Sequence, residues 1–568
     1  MPSLDQLLTQ LEEAKRQFGA DGKRTERLLT QLGRRRLPDV DSLIRFHEAL
    51  LFVRSHPQNS SAFRQSEDLL STFASRVEFL RSTGVDLTPA DYIEYSGIAG
   101  TTISGTFSYD IVRFLVEQFP ARVDTDWSRQ QPERMGSTLP RFLPLLYEDS
   151  LVEANIPYLS WLRAASGRRH QELEWLVGRF ERLKLSRKQK GELYDSLGLR
   201  LRWNLGDSKA SRTLNKRPVA KPFYHTRPLI PRSEVSLDAE FQAPALELQR
   251  LSRTRGKAMQ DMLRQATTVR YRELYGITHG DPDTVVRAVV GRGVEIFLWG
   301  LPLERRLPLR AYHAGFTLKN GVPINYIEGI TICERMEIGF NTFYTFRDGE
   351  SAWVYSKVLR LLHQLVGVTC ISIDPYQIGF NNEEAIESGA FWFYRKLGFR
   401  PARPELARLM SKEEKKIADD SRYRTPGRTL RLLSAGNIVY EAPGSPRGDW
   451  DRFAIRNIGL AVQHRMASDF GGDADAIRSD SRQRIARVLD VKPERLNDPE
   501  LRAFDDLALM LALIPDLQRW TKRDKKKVAE IVRAKMGAAE SRYAMLLQRH
   551  TKLRGAVIKL GNPDAIRV

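Results

Sequence analysis

A chain of 568 residues with 42% hydrophobic and 28% charged side chains is too long for one ordinary core and too apolar to be disordered, so two to four packed domains are expected. Its formal charge of +20, from Arg and Lys spread along the whole length, admits a polyanion partner: nucleic acid, an anionic membrane surface or a phosphorylated cofactor. The two cysteines, Cys333 and Cys370, are too few for a disulfide framework or a zinc site. Met1-Pro-Ser-Leu-Asp-Gln lacks the basic-then-apolar pattern of a signal peptide. The most apolar helical stretch, 507–513, falls far short of the ~20 residues of a membrane span, so a cytoplasmic protein is expected.

Residues 1–205 read as an all-α region, with helical stretches near 41–55, 62–82, 108–118, 139–165 and 171–186. The glycine-rich segment Gly97–Gly105 has neither the Lys-Ser/Thr of a P-loop nor a dinucleotide spacing, and reads as a loop or helix N-terminus. Basic clusters at Arg34–Arg36, Arg168–His170 and Lys184–Lys190 carry few aromatics, and each reads as a solvated helix face. Residues 206–245, with Pro218, Pro222, Pro228 and Pro231, read as a linker able to pack across a neighbouring domain.

The character changes after 246. An Arg- and Leu-rich helical stretch leads into strands at 294–299 and 309–318, and Asn320-Gly321 signals a tight hairpin turn. Val322, Ile324, Tyr326, Ile330 and Ile332 alternate along the return strand. The next strand alternates at Met336, Ile338 and Phe340 and loses phase before Phe343, which predicts a β-bulge near Asn341–Thr342. An amphipathic helix over 351–366, a buried strand at 368–373 and a helix carrying Phe391–Tyr394 follow, with Gly398 as a C-cap. A charged insertion reaches Thr429, and Leu430–Leu433 with Asn437–Tyr440 predict a closing hairpin. Residues 450–568 return to helices.

Ala390…Phe393-Tyr394-Arg395-Lys396-Leu397-Gly398-Phe399 resembles the ending of the GNAT superfamily of acyl-CoA-dependent N-acyltransferases. The resemblance is close over about 338–399 and looser over 293–443. It implies a mixed, mostly antiparallel α/β core at 246–443 between an all-α N-terminal region and an all-α C-terminal region. It also implies acetyl-CoA or another acyl-CoA as co-substrate and an amine, small or protein-borne, as acceptor.

Within that resemblance, Arg347, Gly349, Glu350, Ser351 and Ala352 correspond to the loop that holds pyrophosphate on a helix N-terminus. Ser351 stands where the family has a second glycine, and Asp348 and Glu350 bring negative charge to the loop. The Asn341–Thr342–Phe343 edge corresponds to the pantetheine site, and Tyr394 to the hydroxyl that serves the leaving thiolate. Glu328, on the alternating face of its strand, and Glu337 are the candidates for accepting the amine proton, with Glu334 and His313 as further options. Asn382 fits the family's upstream Asn locally but lies one helical turn early, where the register of Tyr394 puts Glu387. No metal site is expected, since the nine histidines are scattered without zinc or H-E-x-x-H spacing. The alternative reading is a core without catalysis, acting as a scaffold or ligand sensor, with the basic helical regions binding nucleic acid or a protein.

Overall fold

The first buried face forms at residue 4, where Ser3 and Gln6 make a reciprocal cap and Leu7, Leu8 and Leu11 line one side of helix Leu4–Ala14. Residues 2–18, 22–152, 155–167 and 171–563 are described in the computed structural model, so the basic cluster Arg168–His170 lies outside the described residues. Helix Val40–Ser55 starts at Asp39, whose carboxylate accepts Ser42 N–H, and is buried almost all round. Leu43, Phe46, Leu50 and Phe52 are each 0% exposed, and burying such a side chain stabilises by about 1.5–3 kcal/mol. This helix therefore belongs to the main core. Its hydrophobic cluster runs continuously from Leu7 through the large sheet to Val557.

That sheet has nine strands in the order β11-β12-β10-β9-β8-β7-β6-β5-β4. They are β4 (Leu248–Arg250), β5 (Val286–Gly291), β6 (Val294–Trp299), β7 (Ala311–Lys319), β8 (Val322–Ile332), β9 (Arg335–Thr342), β10 (Cys370–Ile373), β11 (Arg400–Pro401) and β12 (Ile438–Glu441). Strands β4 to β9 form an antiparallel meander, β9 and β10 run parallel, and β12 pairs antiparallel with both β10 and β11. The β7–β8 turn is Asn320-Gly321, both at positive φ, the conformation that favours this pair in a two-residue hairpin. The parallel step is bridged by helix Ser351–Val366, whose Val354, Val358, Leu361 and Leu362 face the core.

Three expectations are corrected. The N-terminal region is not all-α. Strands β1 (Thr102–Thr106), β2 (Val123–Thr125) and β3 (Arg200–Asn204) form a sheet of order β1-β3-β2 with a core of its own around Ile103, Phe180 and Trp203. Strand β1 overlaps the end of the Gly97–Gly105 stretch. Gly97 and Gly100 have positive φ and bring backbone against Val269 and Val77, where a Cβ would lie 2.9 and 2.8 Å from those side chains. The bulge is not at Asn341–Thr342, because the β8–β9 ladder runs unbroken from Ile332↔Arg335 to Asn325↔Thr342. The alternation stops there because β9 ends and a 3-10 turn, Tyr344–Phe346, begins. Register shifts occur instead between Thr317 and Leu318 and between Val289 and Gly291. Leu430–Leu433 is not a strand. It belongs to helix Gly427–Leu433, in which Leu430 and Leu433 share the buried face at i, i+3, and the hairpin partner of β12 is β11.

Residues 206–236 cross between these parts with little regular structure. Arg212 pairs with Glu48, Asn215 donates to Met262 C=O, Arg217 pairs with Glu295, and His225 N–H donates to Pro57 C=O. The described residues from 455 onward form helices joined by short turns. They are tied to the sheet by Arg554 on Glu334, a carboxylate that also accepts from Trp450, and by Glu540 on Tyr312 N–H.

Candidate functional site

The parallel ladder between β9 and β10 is three pairs long: Arg335–Cys370, Met336–Ile371 and Glu337–Ser372. Beyond Glu337 the pairing stops, because β10 ends at Ile373 and the chain turns into helix Pro375–Ile378, which leaves a gap in the ladder along β9. Gln377 of that helix bridges it by donating from Nε2 to Ile338 C=O at 2.9 Å. Phe343 N–H donates to Ile324 C=O at 3.0 Å, so in this antiparallel pair the odd-numbered residues of β9 direct their main chain toward β8. The main-chain groups of Phe340 and Thr342 therefore face the gap, with Arg347 Nε 3.4 Å from Thr342 C=O. A short, open strand edge inside a sheet is suited to an extended chain that carries amides.

Thr342, at the end of this edge, lines one small cavity with Ser351 at the start of helix Ser351–Val366, which has no side-chain N-cap. The two acids of the loop are turned to other partners. Asp348 pairs with Arg16 at 2.5 Å. Glu350 is 3% exposed and held by Lys319 at 3.1 Å, Arg292 at 2.5 Å and Ile230 N–H at 3.1 Å. Its carboxyl is lowered: burial acts to raise it, and the Lys319 and Arg292 charges outweigh burial. Burial pushes Lys319 down to about 8 against the pull of Glu350. Glu350 is thus a structural anchor whose side-chain charge is neutralised by Lys319 and Arg292.

Beside it, His56, Lys319, Asn325, Thr342 and Ser351 line a cavity of about 10 Å³, room for about one water. Both amide atoms of Asn325 and the Ser351 hydroxyl are buried there without a hydrogen-bond partner among the described residues. Gly349 lies under His56, whose Nε2 would be 2.9 Å from an added Cβ.

The candidate bases divide clearly. Tyr326, Glu328 and Ile330 on β8 and Glu337, Gly339 and Asn341 on β9 form a half-exposed strip on one face of the sheet. Glu328 accepts from the Tyr312 hydroxyl and, at 3.4 Å, from Gly276 N–H. Burial raises its carboxyl above the usual 4.5 despite those bonds. Glu337 stands at the mouth of the gap, 3.7 Å from Arg335. Glu334 is spent on Trp450 and Arg554. His313, pushed down to about 4 by burial, borders a cavity of about 210 Å³ between β6, β7 and residues 538–541, away from the gap.

Tyr394 sits among the rings of Tyr355, Phe393 and Phe399, and Tyr355 separates it from Phe340 of the gap. Burial raises its phenol, so it is a hydrogen-bond donor and a poor acid. Asn382 caps helix Glu383–Glu387 by accepting Ala385 N–H at 3.3 Å, and Glu387 is exposed.

Sequence reasoning missed a cluster of arginines. Arg212, Arg270, Arg272 and Arg347 gather with Asn341, Phe343 and Tyr344 around a cavity of about 50 Å³ at the end of β9. The local signals are Arg270-Tyr271-Arg272 just past the helix Arg253–Thr268 and Arg347, which the sequence singles out for the pyrophosphate loop and not for this cavity; nothing announces Arg212. Compared with known protein families, curated proteins and solved structures, the chain shows no match.

Proposed function

We propose that this chain is an acyl-CoA-dependent N-acyltransferase with a GNAT-like core. The observation that carries the reading is the three-pair β9–β10 ladder that opens into a gap, with the Phe340 and Thr342 main chain facing it and an uncapped helix start at its end. Pantetheine amides would pair with that edge, and the N–H groups at Ser351 and Ala352, with Arg347, would meet the pyrophosphate. The amine nitrogen attacks the thioester carbonyl. A C–N bond forms, the C–S bond breaks, the amine proton passes to Glu328, directly or through water, and the departing thiolate takes up a proton from solvent, giving the amide and the free CoA thiol.

Free thiol released from acetyl-CoA in the presence of a panel of primary amines tests this directly. Release that depends on amine supports the reading, and no release above the buffer rate with any amine removes it. Glu328 gives a sharper expectation. Its carboxyl titrates above 4.5 and acts as a base only once deprotonated, so the rate rises with pH through that titration. Glu328→Gln is expected to lower the rate about 10²–10⁴-fold and to flatten that limb. A pH–rate profile that keeps the limb in the variant moves the base to Glu337.

One observation favours a second reading. With His56 packed over Gly349 and only about 10 Å³ free beside Ser351, the loop in this conformation has no room for a pyrophosphate. In that reading the core is a scaffold or sensor and the basic helical regions carry the function. Salt-dependent retention on generic RNA or DNA, together with no response to CoA, is the result it expects.

A further inference from the structure

Arg270 is a buried charge at the arginine cavity. It is 8% exposed, and no carboxylate lies within ion-pair distance of it among the described residues. Its guanidinium lies 4.0 Å over the Phe343 ring, and its hydrogen bond, 2.5 Å to Ala266 C=O, is to the end of the helix that precedes it. The carbonyl end of that helix offsets part of the charge. A guanidinium has five N–H donors, so most of its capacity is unused.

Arg212 adds to it. This residue is 3% exposed, and its Nη atoms are taken by Glu48, Thr345 and Glu94 C=O, yet its Nε is buried without a partner. Arg272 is half-exposed and its charge acts on Tyr326, while Arg347 pairs with Glu384 at the rim. The acids at the cavity are Glu94, exposed at the edge, and Glu384; Glu48 lies behind Arg212. Buried cationic donors with open valences around about 50 Å³ describe a built receptor for a small anion.

The receptor is also placed relative to Glu328. Asn341 lines the cavity and is the cross-strand partner of Tyr326. Glu328 lies two residues along the same face, so the diagonal from Glu328 to Asn341 spans about 7–8 Å.

We propose that the arginine cavity at the end of β9 binds an oxyanion, a carboxylate or a phosphate, and that the acceptor is a small primary amine carrying this group at the far end of a short chain. An ω-amino acid or an aminoalkyl phosphate is such an amine. The identity of the ligand as acceptor rests on the acyl-transfer reading; the anion site does not.

The test is calorimetric titration of the full-length protein with inorganic phosphate and with acetate at constant ionic strength, chloride serving as control. At least one of the two is expected to bind in the low-millimolar range, and the stronger names the group. Arg270→Met and Arg272→Ala should each weaken it at least tenfold. Arg272 is half-exposed, so its variant folds even if the buried substitution does not. No binding of either anion to the wild-type protein at tens of millimolar, or equal binding in Arg272→Ala, overturns the site.

Acetyl-CoA titration separates the two layers. Affinity unchanged in Arg272→Ala, with 6-aminohexanoate at least tenfold better than hexylamine in kcat/KM, supports the acceptor assignment. Acetyl-CoA weakened in parallel with the anion overturns it and gives the cavity to the cofactor. Anion binding without any acetyl-CoA binding upholds the site and removes the acyl-transfer reading.

Discussion

Lowering the pH from 7 to 5 is expected to destabilise this protein steeply. Four buried histidines are held neutral: His47 titrates at about 4, His225 at about 3, His313 at about 4, and His56 well below 6.5. Burial is the largest cause in each, and at His56 and His225 the Lys319 charge adds to it. In the unfolded chain the same groups take up a proton near 6.5. Below that pH the unfolded state binds more protons than the folded one, so stability is complete above 6.5 and lost as the pH falls toward the folded values.

Each such histidine contributes a slope of about 1.4 kcal/mol per pH unit, and four together about 5 kcal/mol per unit. Glu48 adds nothing over this window, because Arg212 and His47 hold it down at about 2, so its contribution is lost only below about 4.5. Urea midpoints at pH 7, 6 and 5 are the measurement. A midpoint unchanged across that range would mean the histidines are solvated.

Glu350→Ala is expected to cost about 3–5 kcal/mol, because it leaves Lys319 buried without its counter-charge. The two side chains are each 1% exposed and 3.1 Å apart, and Arg292 closes on the same carboxylate. Replacing Lys319 as well, in Lys319→Met/Glu350→Met, removes the stranded charge and should recover most of the loss, since a buried pair exchanged for apolar side chains is often near neutral. A double variant as unstable as the single one would show that Glu350 acts through Ile230 N–H and Arg292 instead. Either outcome bears on the site, because this network sets the start of helix Ser351–Val366 beside the gap.

Much of the sheet was legible because its signals are local. The alternation along β8, the positive-φ pair Asn320-Gly321 and the helical spacing of Val354, Val358, Leu361 and Leu362 each report on a few neighbouring residues. The mixed, mostly antiparallel sheet followed from them. Short elements were not legible. Strand β1 is five residues containing a glycine, and Leu430 to Leu433 is too brief to separate an i, i+3 face from a strand.

The site was half legible for a different reason. Asp348 and Glu350 look hostile to phosphate in the sequence, and their neutralising partners Arg16, Arg292 and Lys319 are distant along the chain. The same holds for the arginine cavity, where Arg212 comes from the crossing segment, Arg270 and Arg272 from beyond a helix, and Arg347 from the loop. Tyr394 is singled out by a motif resemblance alone, and its burial among aromatic rings is a property of packing that no motif contains.

The central claim is that the gap between β9 and β10 takes an acyl-CoA. Calorimetric titration of the wild-type protein with acetyl-CoA and with CoA at neutral pH tests it most directly. Saturable one-to-one binding of both is the predicted result; no heat and no thermal stabilisation at millimolar ligand would contradict it.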